Sequence, residues 1–146
     1  MTDTGQTLAP QNYDILITAG QINRSHPEQS TLTLKLRAPV PVGSGEMAEV
    51  IQEDPSELKP GDSIDVRPGD TVTWIIQDPD ISSILIMDDN KNRNVFESNP
   101  APVFGSRNWM GVIDRTINGR KEETYAICWS QHGITYCYDP KITVNP

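Results

Sequence analysis

The stretch that decides the fold is Tyr125-Ala126-Ile127-Cys128-Trp129-Ser130-Gln131-His132-Gly133-Ile134-Thr135-Tyr136-Cys137-Tyr138. Apolar residues alternate with small or polar residues on both sides of His132-Gly133, which is typical of two β-strands. Glycine accepts a positive φ angle freely, and histidine tolerates one better than most residues do. The pattern therefore predicts an antiparallel hairpin with His132 and Gly133 at its turn. Counting outward from that turn, Cys128 faces Cys137.

The two facing cysteines are candidates for a disulfide. The hairpin register predicts a non-hydrogen-bonded pair, whose Cα atoms lie about 4.5 Å apart, and a disulfide allows about 4.4–6.8 Å. We therefore expect Cys128 and Cys137 to form a structural disulfide, with a redox switch and a pair of reduced thiols as the alternatives. Their spacing is not Cys-x-x-Cys, which disfavours thioredoxin-like catalysis.

A second turn signal lies upstream, at Asn118-Gly119. Asn-Gly is the strongest short signal for a hairpin, and it predicts that Val112 faces Tyr125, Met110 faces Ile127 and Asn108 faces Trp129. The alternative is that residues 115–123 form a longer loop instead of a tight turn. The two turns together predict a three-stranded antiparallel meander with one apolar face. The residues assigned to that face are Met110, Val112, Tyr125, Ile127, Trp129, Ile134, Tyr136, Tyr138, Ile142 and Val144.

The rest of the chain also reads as short strands separated by turns. Strands are predicted at 14–18, 31–37, 64–66, 70–77 and 83–87, with a short strand or a single helical turn near 47–52. Pro60-Gly61 and Pro68-Gly69 each suit the centre of a type II turn, and 88–94 and 97–108 are predicted to be irregular. No segment shows a period of 3.6 residues, so we expect almost no helix. Residues 1–11 are predicted to form a flexible arm and 12–146 a single all-β sandwich domain.

Composition excludes several classes of partner. The chain has 146 residues, with 12 basic and 20 acidic side chains and a formal net charge of −8. An acidic surface repels phosphate groups, so we expect no binding to nucleic acid. No apolar run approaches the roughly 18–20 residues of a membrane helix, so no membrane insertion is expected. The first residues lack the basic and apolar regions of a signal peptide, which predicts a cytoplasmic protein, or an extracytoplasmic one if the chain is a trimmed mature form.

Three segments resemble the cupredoxin family. Val66–Trp74 resembles the turn and strand that lead to that family's first copper ligand. Tyr125–Cys128 followed by His132 resembles the strand and loop that carry the Cys and second His ligands, and Lys141–Val144 resembles the closing strand. The resemblance covers roughly residues 60–146. It implies a single Greek-key β-sandwich, cupredoxin-like or immunoglobulin-like in architecture.

The copper ligands of that family do not carry over. A type 1 copper site takes two His and one Cys, with a weak axial Met, but the segment 77–83 contains no His and no Met follows His132. The resemblance therefore implies the fold without its metal, and we expect no cofactor. A metal-binding or electron-transfer protein using Cys128 and His132 is the alternative. The end of the chain, 138–144, is also similar to the end of the bacterial inclusion-body protein family.

Two further constellations carry weaker signals. Asp88, Asn90, Asn92 and Asn94 partly imitate a calcium loop, but the loop lacks the Gly and Glu that such a site needs at its sixth and twelfth positions. Small-ligand or calcium binding through the acidic loops of 78–94 is thus an alternative function, as is an enzyme acting at the acids between Asp78 and Asp89. A Cys128–His132 nucleophile pair is disfavoured because His132 is placed at the hairpin tip.

The sequence shows no charged catalytic constellation, complete metal set or phosphate-binding loop. We therefore expect a non-enzymatic β-sandwich that serves as a structural or interaction module. Its expected partner is another protein or a second copy of itself, bound through an edge strand or an aromatic patch.

Overall fold

The computed structural model describes residues 9–42, 55–88 and 95–146. Most of the predicted N-terminal arm, the element predicted near 47–52 and the loop residues 89–94 lie outside this range. In chain order the described strands are β1 (Gln11–Ala19), β2 (Leu32–Leu36), β3 (Val40–Pro41), β4 (Ser56–Leu58), β5 (Ser63–Val66), β6 (Thr71–Ile76), β7 (Ile81–Asp88), β8 (Ala101–Pro102), β9 (Trp109–Val112), β10 (Lys121–Gln131), β11 (Ile134–Tyr138) and β12 (Lys141–Val144). The helical content of the described residues is one 3₁₀ turn at Pro27–Gln29.

The strands form two sheets. The first has the order β4-β2-β1-β6-β9-β8, with β3 paired to β1, and the second has the order β11-β10-β12-β5, with β7 paired to β10. β1 runs parallel to β6 and β5 runs parallel to β12, while the other pairs are antiparallel. The prediction of an all-β sandwich with almost no helix is confirmed, and the arrangement is consistent with a Greek key. No helix among the described residues is long and apolar enough to cross a membrane.

The core lies between the sheets, and alternate residues of the strands enter it. Val72, Trp74 and Ile76 of β6 are buried. The Trp74 Nε1 donates a hydrogen bond of 3.0 Å to the hydroxyl of Tyr125, on the opposite sheet. The same two rings pack edge to face, with centroids 5.6 Å apart. Burial raises the pKa of the Tyr125 phenol, so this group stays protonated and the contact joins the two layers.

Both Pro-Gly pairs form the predicted turns. Gly61 and Gly69 each have φ of +90°, which is the conformation that the third position of a type II turn requires. Asp62 donates its N–H to the carbonyl of Lys59 at 2.9 Å, and Asp70 donates its N–H to Arg67 at 3.1 Å. The two turns bracket β5, as the sequence predicts.

The aspartate that ends each turn also folds back on it. Asp62 accepts a 2.9 Å hydrogen bond from the backbone N–H of Lys59, and Asp70 accepts the equivalent bond from Arg67 at 2.9 Å. Asp70 differs because it is buried and its other oxygen accepts the N–H of Gln11 at 2.9 Å. The second turn therefore attaches to the start of β1.

The prediction of a tight hairpin at Asn118-Gly119 is wrong. A longer connection, residues 113–120, joins β9 to β10. β9 lies in the first sheet, where it pairs with β6 and β8, and β10 lies in the second sheet. The partner of Ile127 is accordingly Ile86 of β7, where the sequence predicted Met110. The described glycines with positive φ do not include Gly119, so the tight turn that an Asn-Gly hairpin needs is not formed.

The connection between β9 and β10 crosses from one sheet to the other. It is fixed at its start, where Asp114 accepts hydrogen bonds from the backbone N–H and the hydroxyl of Thr116 at 2.9 and 2.7 Å. These bonds lower the pKa of Asp114.

Of the predicted apolar face, Met110 is exposed and Val112 is half-buried. The other members are buried or pack against the core: Tyr125, Ile127, Trp129, Ile134, Tyr136, Tyr138, Ile142 and Val144.

Candidate interaction surface

The predicted hairpin between β10 and β11 holds the cysteine pair. His132 and Gly133 have φ of 52° and 80°, so both turn residues take the left-handed conformation that a two-residue hairpin favours. Cys128 faces Cys137 in the register, and a disulfide joins them with Cα atoms 4.0 Å apart. The pair lies on the outer face of the second sheet, with Cys137 exposed and Cys128 half-buried. Because both sulfurs are bonded to each other, neither offers a thiolate to a metal or a substrate.

His132 lies at the hairpin tip, as the sequence predicts. Its Nε2 is 4.0 Å from a carboxylate oxygen of Asp80, and both side chains are more than half exposed to solvent. Exposed pairs of this kind contribute little stability, typically about 0–1 kcal/mol. The contact positions two loops at one end of the sandwich.

The acids of the 78–94 region are only partly described. Asp78 accepts hydrogen bonds from the backbone N–H groups of Ala19 at 2.9 Å and Asp80 at 3.0 Å, so it shapes the β6–β7 turn and attaches it to the end of β1. Asp88 ends β7, while Asp89, Asn90, Asn92 and Asn94 lie outside the described residues. Within 9–42, 55–88 and 95–146, no three His, Cys, Asp or Glu side chains lie together as a metal would need.

The segment predicted to be irregular, 97–108, contains a short hairpin between β8 and β9. Pro102 faces Trp109 in its register, and the backbone N–H of Val103 donates to the carbonyl of Asn108 at 2.7 Å. At the tip, Ser106 donates its N–H to Val103 at 3.1 Å. Gly105 has φ of +82°. The hairpin tip, residues 103–106, is thus a type II turn.

The side chain of Phe104, on this turn, is fully exposed to solvent. Phe104 is the second residue of the turn, and its relative exposure is 101 %. The hydroxyl of Ser106 reinforces the tip by accepting the N–H of Asn108 at 3.1 Å. Arg107 donates a guanidinium hydrogen bond to the carbonyl of Ile81, at the start of β7 in the second sheet. Phe104 therefore projects from a turn whose backbone is fixed by hydrogen bonds.

A groove runs beside the base of the same hairpin. We call it the β7 groove; its volume is about 380 Å³ and its described lining is Leu85, Ile86, Met87, Asn99, Pro100 and Trp109. Leu85 and Met87 point outward from β7 and are 47 % and 43 % exposed. Leu85 faces Cys128, and Met87 faces Ala126, in the β7–β10 register. The groove therefore adjoins the outer face of the second sheet, next to the disulfide.

The hairpin tip and the β7 groove were not predicted from the sequence. The signal for the tip is Val103-Phe104-Gly105-Ser106, in which the glycine is placed for a type II turn. The signal for the groove is the alternation of β7, since Ile84 and Ile86 enter the core and thereby leave Leu85 and Met87 outside.

Comparison of the sequence with models of known families gives no match, and no curated protein is significantly similar to it.

Proposed function

We propose that this protein is a non-enzymatic β-sandwich that works by contact between protein surfaces and that it associates with copies of itself. One observation carries the proposal: Phe104 is fully exposed at the tip of a hydrogen-bonded turn. Leaving a phenylalanine side chain in water forgoes roughly 1.5–3 kcal/mol of burial free energy. The fold does not require that cost, because the second position of a type II turn accepts proline and polar residues readily.

Aromatic residues are enriched where proteins meet. A side chain held on an ordered turn also loses less conformational entropy on binding than one on a mobile loop. Phe104 has both properties, since the tip is closed by the Ser106-to-Val103 bond and supported by Arg107. This arrangement suits an anchor that enters another protein surface.

The charge pattern leaves two segments through which a second copy can bind. The net charge of −8 makes copies of the chain repel one another, so two copies meet with the least repulsion through surfaces that carry no charge. Residues 98–106 contain no charged side chain, and neither do residues 81–87 of β7. A contact built from these two segments brings no like charges together.

The cupredoxin-like assignment remains part of the proposal. It is supported by the parallel pairs β1–β6 and β5–β12 and by Cys128, which precedes the His132 turn. In this proposal the cysteine that matches the family's ligand is joined to Cys137. Resemblance of 138–144 to the end of the inclusion-body protein family also remains a prediction.

The disulfide bears on the proposed location. Structural disulfides persist in oxidising compartments and are rare in the cytosol. The Cys128–Cys137 bond therefore supports the extracytoplasmic alternative over the cytoplasmic one.

The test is the mass of the protein in solution over a concentration series, by sedimentation equilibrium, with and without reductant. We expect the average mass to rise above the 16.2 kDa of one chain as concentration increases. Reductant should leave that rise in place, because the disulfide lies within one chain. A mass of 16.2 kDa at every concentration, in both buffers, would contradict the proposal.

A further inference from the structure

We infer that Phe104 of one molecule inserts into the β7 groove of a second copy, and that the two molecules exchange this contact reciprocally. The inference rests on the proposed self-association and names the surface that produces it. Its starting point is that the chain carries both a protruding aromatic side chain and a groove, and that each is open to solvent.

The groove suits an aromatic side chain. Its volume of about 380 Å³ lies in the range of roughly 300–1,000 Å³ that ligand pockets have. Trp109 offers an aromatic surface and Met87 a thioether, and both kinds of group pack favourably against a phenyl ring. None of the described lining residues carries a charge.

Phe104 cannot fill the groove of its own molecule. A relative exposure of 101 % means that the ring packs against no other described residue. Trp109 and Pro100 lie at the base of the hairpin whose tip carries Phe104, and the turn bonds hold the tip away from that base. A Phe104 ring that enters this groove therefore comes from another molecule.

The placement of both features on one hairpin favours a closed dimer. When two hairpins pack against each other about a twofold axis, each tip lies near the base of its neighbour, so both contacts form together. Such an isologous arrangement leaves no unfilled groove and stops at two chains. The expected mass at saturation is therefore twice 16.2 kDa.

The experiment compares three substitutions by sedimentation equilibrium. Phe104→Ser removes the aromatic side chain, Met87→Gln introduces an amide into the groove, and Val42→Gln is the control. Val42 is 49 % exposed against 43 % for Met87, but it follows β3, outside both the β8–β9 hairpin and β7. We expect the first two substitutions to raise the dimer dissociation constant about tenfold or more, as loss of an interface anchor does, and Val42→Gln to leave it within about twofold of the wild-type value.

The outcomes separate this inference from the proposed function. If wild-type protein dimerises and Phe104→Ser dimerises equally well, the groove contact is wrong while self-association stands. If wild-type protein is monomeric throughout, the proposed function itself fails. Thermal unfolding of each variant checks that the fold is retained.

A second experiment, cross-linking, tests the same contact without weakening the dimer. A photo-activated phenylalanine analogue at position 104 should cross-link to peptides of a second chain that contain residues 85–87 or 99–109. Mixing isotopically heavy and light protein distinguishes links between chains from links within one chain. Links formed only to peptides outside the groove would overturn the inference.

Discussion

Because Gly111 has no side chain, the ring of Phe96 can pack directly against the backbone of β9. A Cβ atom at that position would lie 2.9 Å from the Cδ1 and 3.0 Å from the Cε1 of Phe96, and Phe96 is buried against Trp74 with ring centroids 5.9 Å apart. Because the ring has no free space to move into, an alanine at 111 would displace it from the core.

We therefore expect Gly111→Ala to lower the free energy of unfolding by about 1–3 kcal/mol, the usual cost of overpacking. Gly119→Ala is the control, because a Cβ there meets no atom within 4 Å and its φ is not positive. That variant should be neutral or slightly more stable. Urea unfolding measures both, and equal effects of the two substitutions would contradict the packing argument.

A second prediction at the scale of the residue concerns the contribution of the disulfide to stability. Cys128 and Cys137 close a short loop, with a sequence separation of 9, so the bond restricts the unfolded chain only modestly. We expect replacement of both cysteines by alanine to cost about 2–3 kcal/mol of unfolding free energy. Wild-type protein in reductant should match the double variant.

Thiol counting tests the same bond directly. Unreduced, unfolded protein should show no reactive thiol, because the described residues include no free cysteine. Two reactive thiols, or a double variant as stable as the oxidised protein, would show that the pair does not stabilise the fold.

At the scale of the element, the two Pro-Gly-Asp turns are a natural matched pair. Asp70 and Asp62 accept the same backbone hydrogen bond within their turns, but Asp70 is buried and also holds the N–H of Gln11. Water can replace the carboxylate of the exposed Asp62. It cannot reach the donors around Asp70 as easily.

We expect Asp70→Ala to lower the unfolding free energy by about 2–4 kcal/mol, since it leaves two backbone donors without their acceptor. Asp62→Ala should cost less than about 1 kcal/mol. Hydrogen exchange at Gln11 gives a local reading, because its amide should exchange faster in Asp70→Ala alone. Equal stability of the two variants would mean that the attachment to β1 contributes nothing.

Short-range signals in the sequence predicted the elements better than their assembly. The His132-Gly133 hairpin and the two Pro-Gly turns depend on φ angles and on neighbours along the chain, so their residues suffice to identify them. Asn118-Gly119 carries an equally local signal, but its flanking strands belong to different sheets. Which sheet a strand joins depends on packing against distant residues, such as Thr71 opposite Val112, and a turn motif holds no information about that.

The candidate surface was harder to predict than the fold for the same reason. In the sequence Phe104 is one of nine Phe, Trp and Tyr residues, and only the folded hairpin shows that no described residue covers it. Leu85 and Met87 look like core residues until the register shows that their neighbours Ile84 and Ile86 take the core positions. The cysteine pair was predictable because one turn fixes it.

For the whole molecule, charge distribution sets how association responds to salt. The chain carries a net charge of −8, while the proposed contact between residues 98–106 and residues 81–87 of β7 contains no charged side chain. Added salt screens the repulsion between copies without weakening the contact itself.

We therefore expect the dimer to tighten as ionic strength rises from about 0.05 M to about 0.5 M, over which the screening length falls severalfold. An interface held by ion pairs would weaken over the same range. The dissociation constant from sedimentation at each salt concentration decides between the two, with Phe104→Ser as the reference for non-specific association.

The parallel pairing of β5 with β12 has a consequence for how the protein is made. Ser63 pairs with Lys141 and Val66 with Val144, and β12 is the one described strand that pairs with β5. During synthesis β5 therefore leaves the ribosome long before its partner, and the second sheet cannot close until residue 144 has emerged. Contacts so distant in sequence slow folding, so we expect refolding to be slow, with the final protection of β5 amides arriving together with that of β12 in pulsed hydrogen exchange.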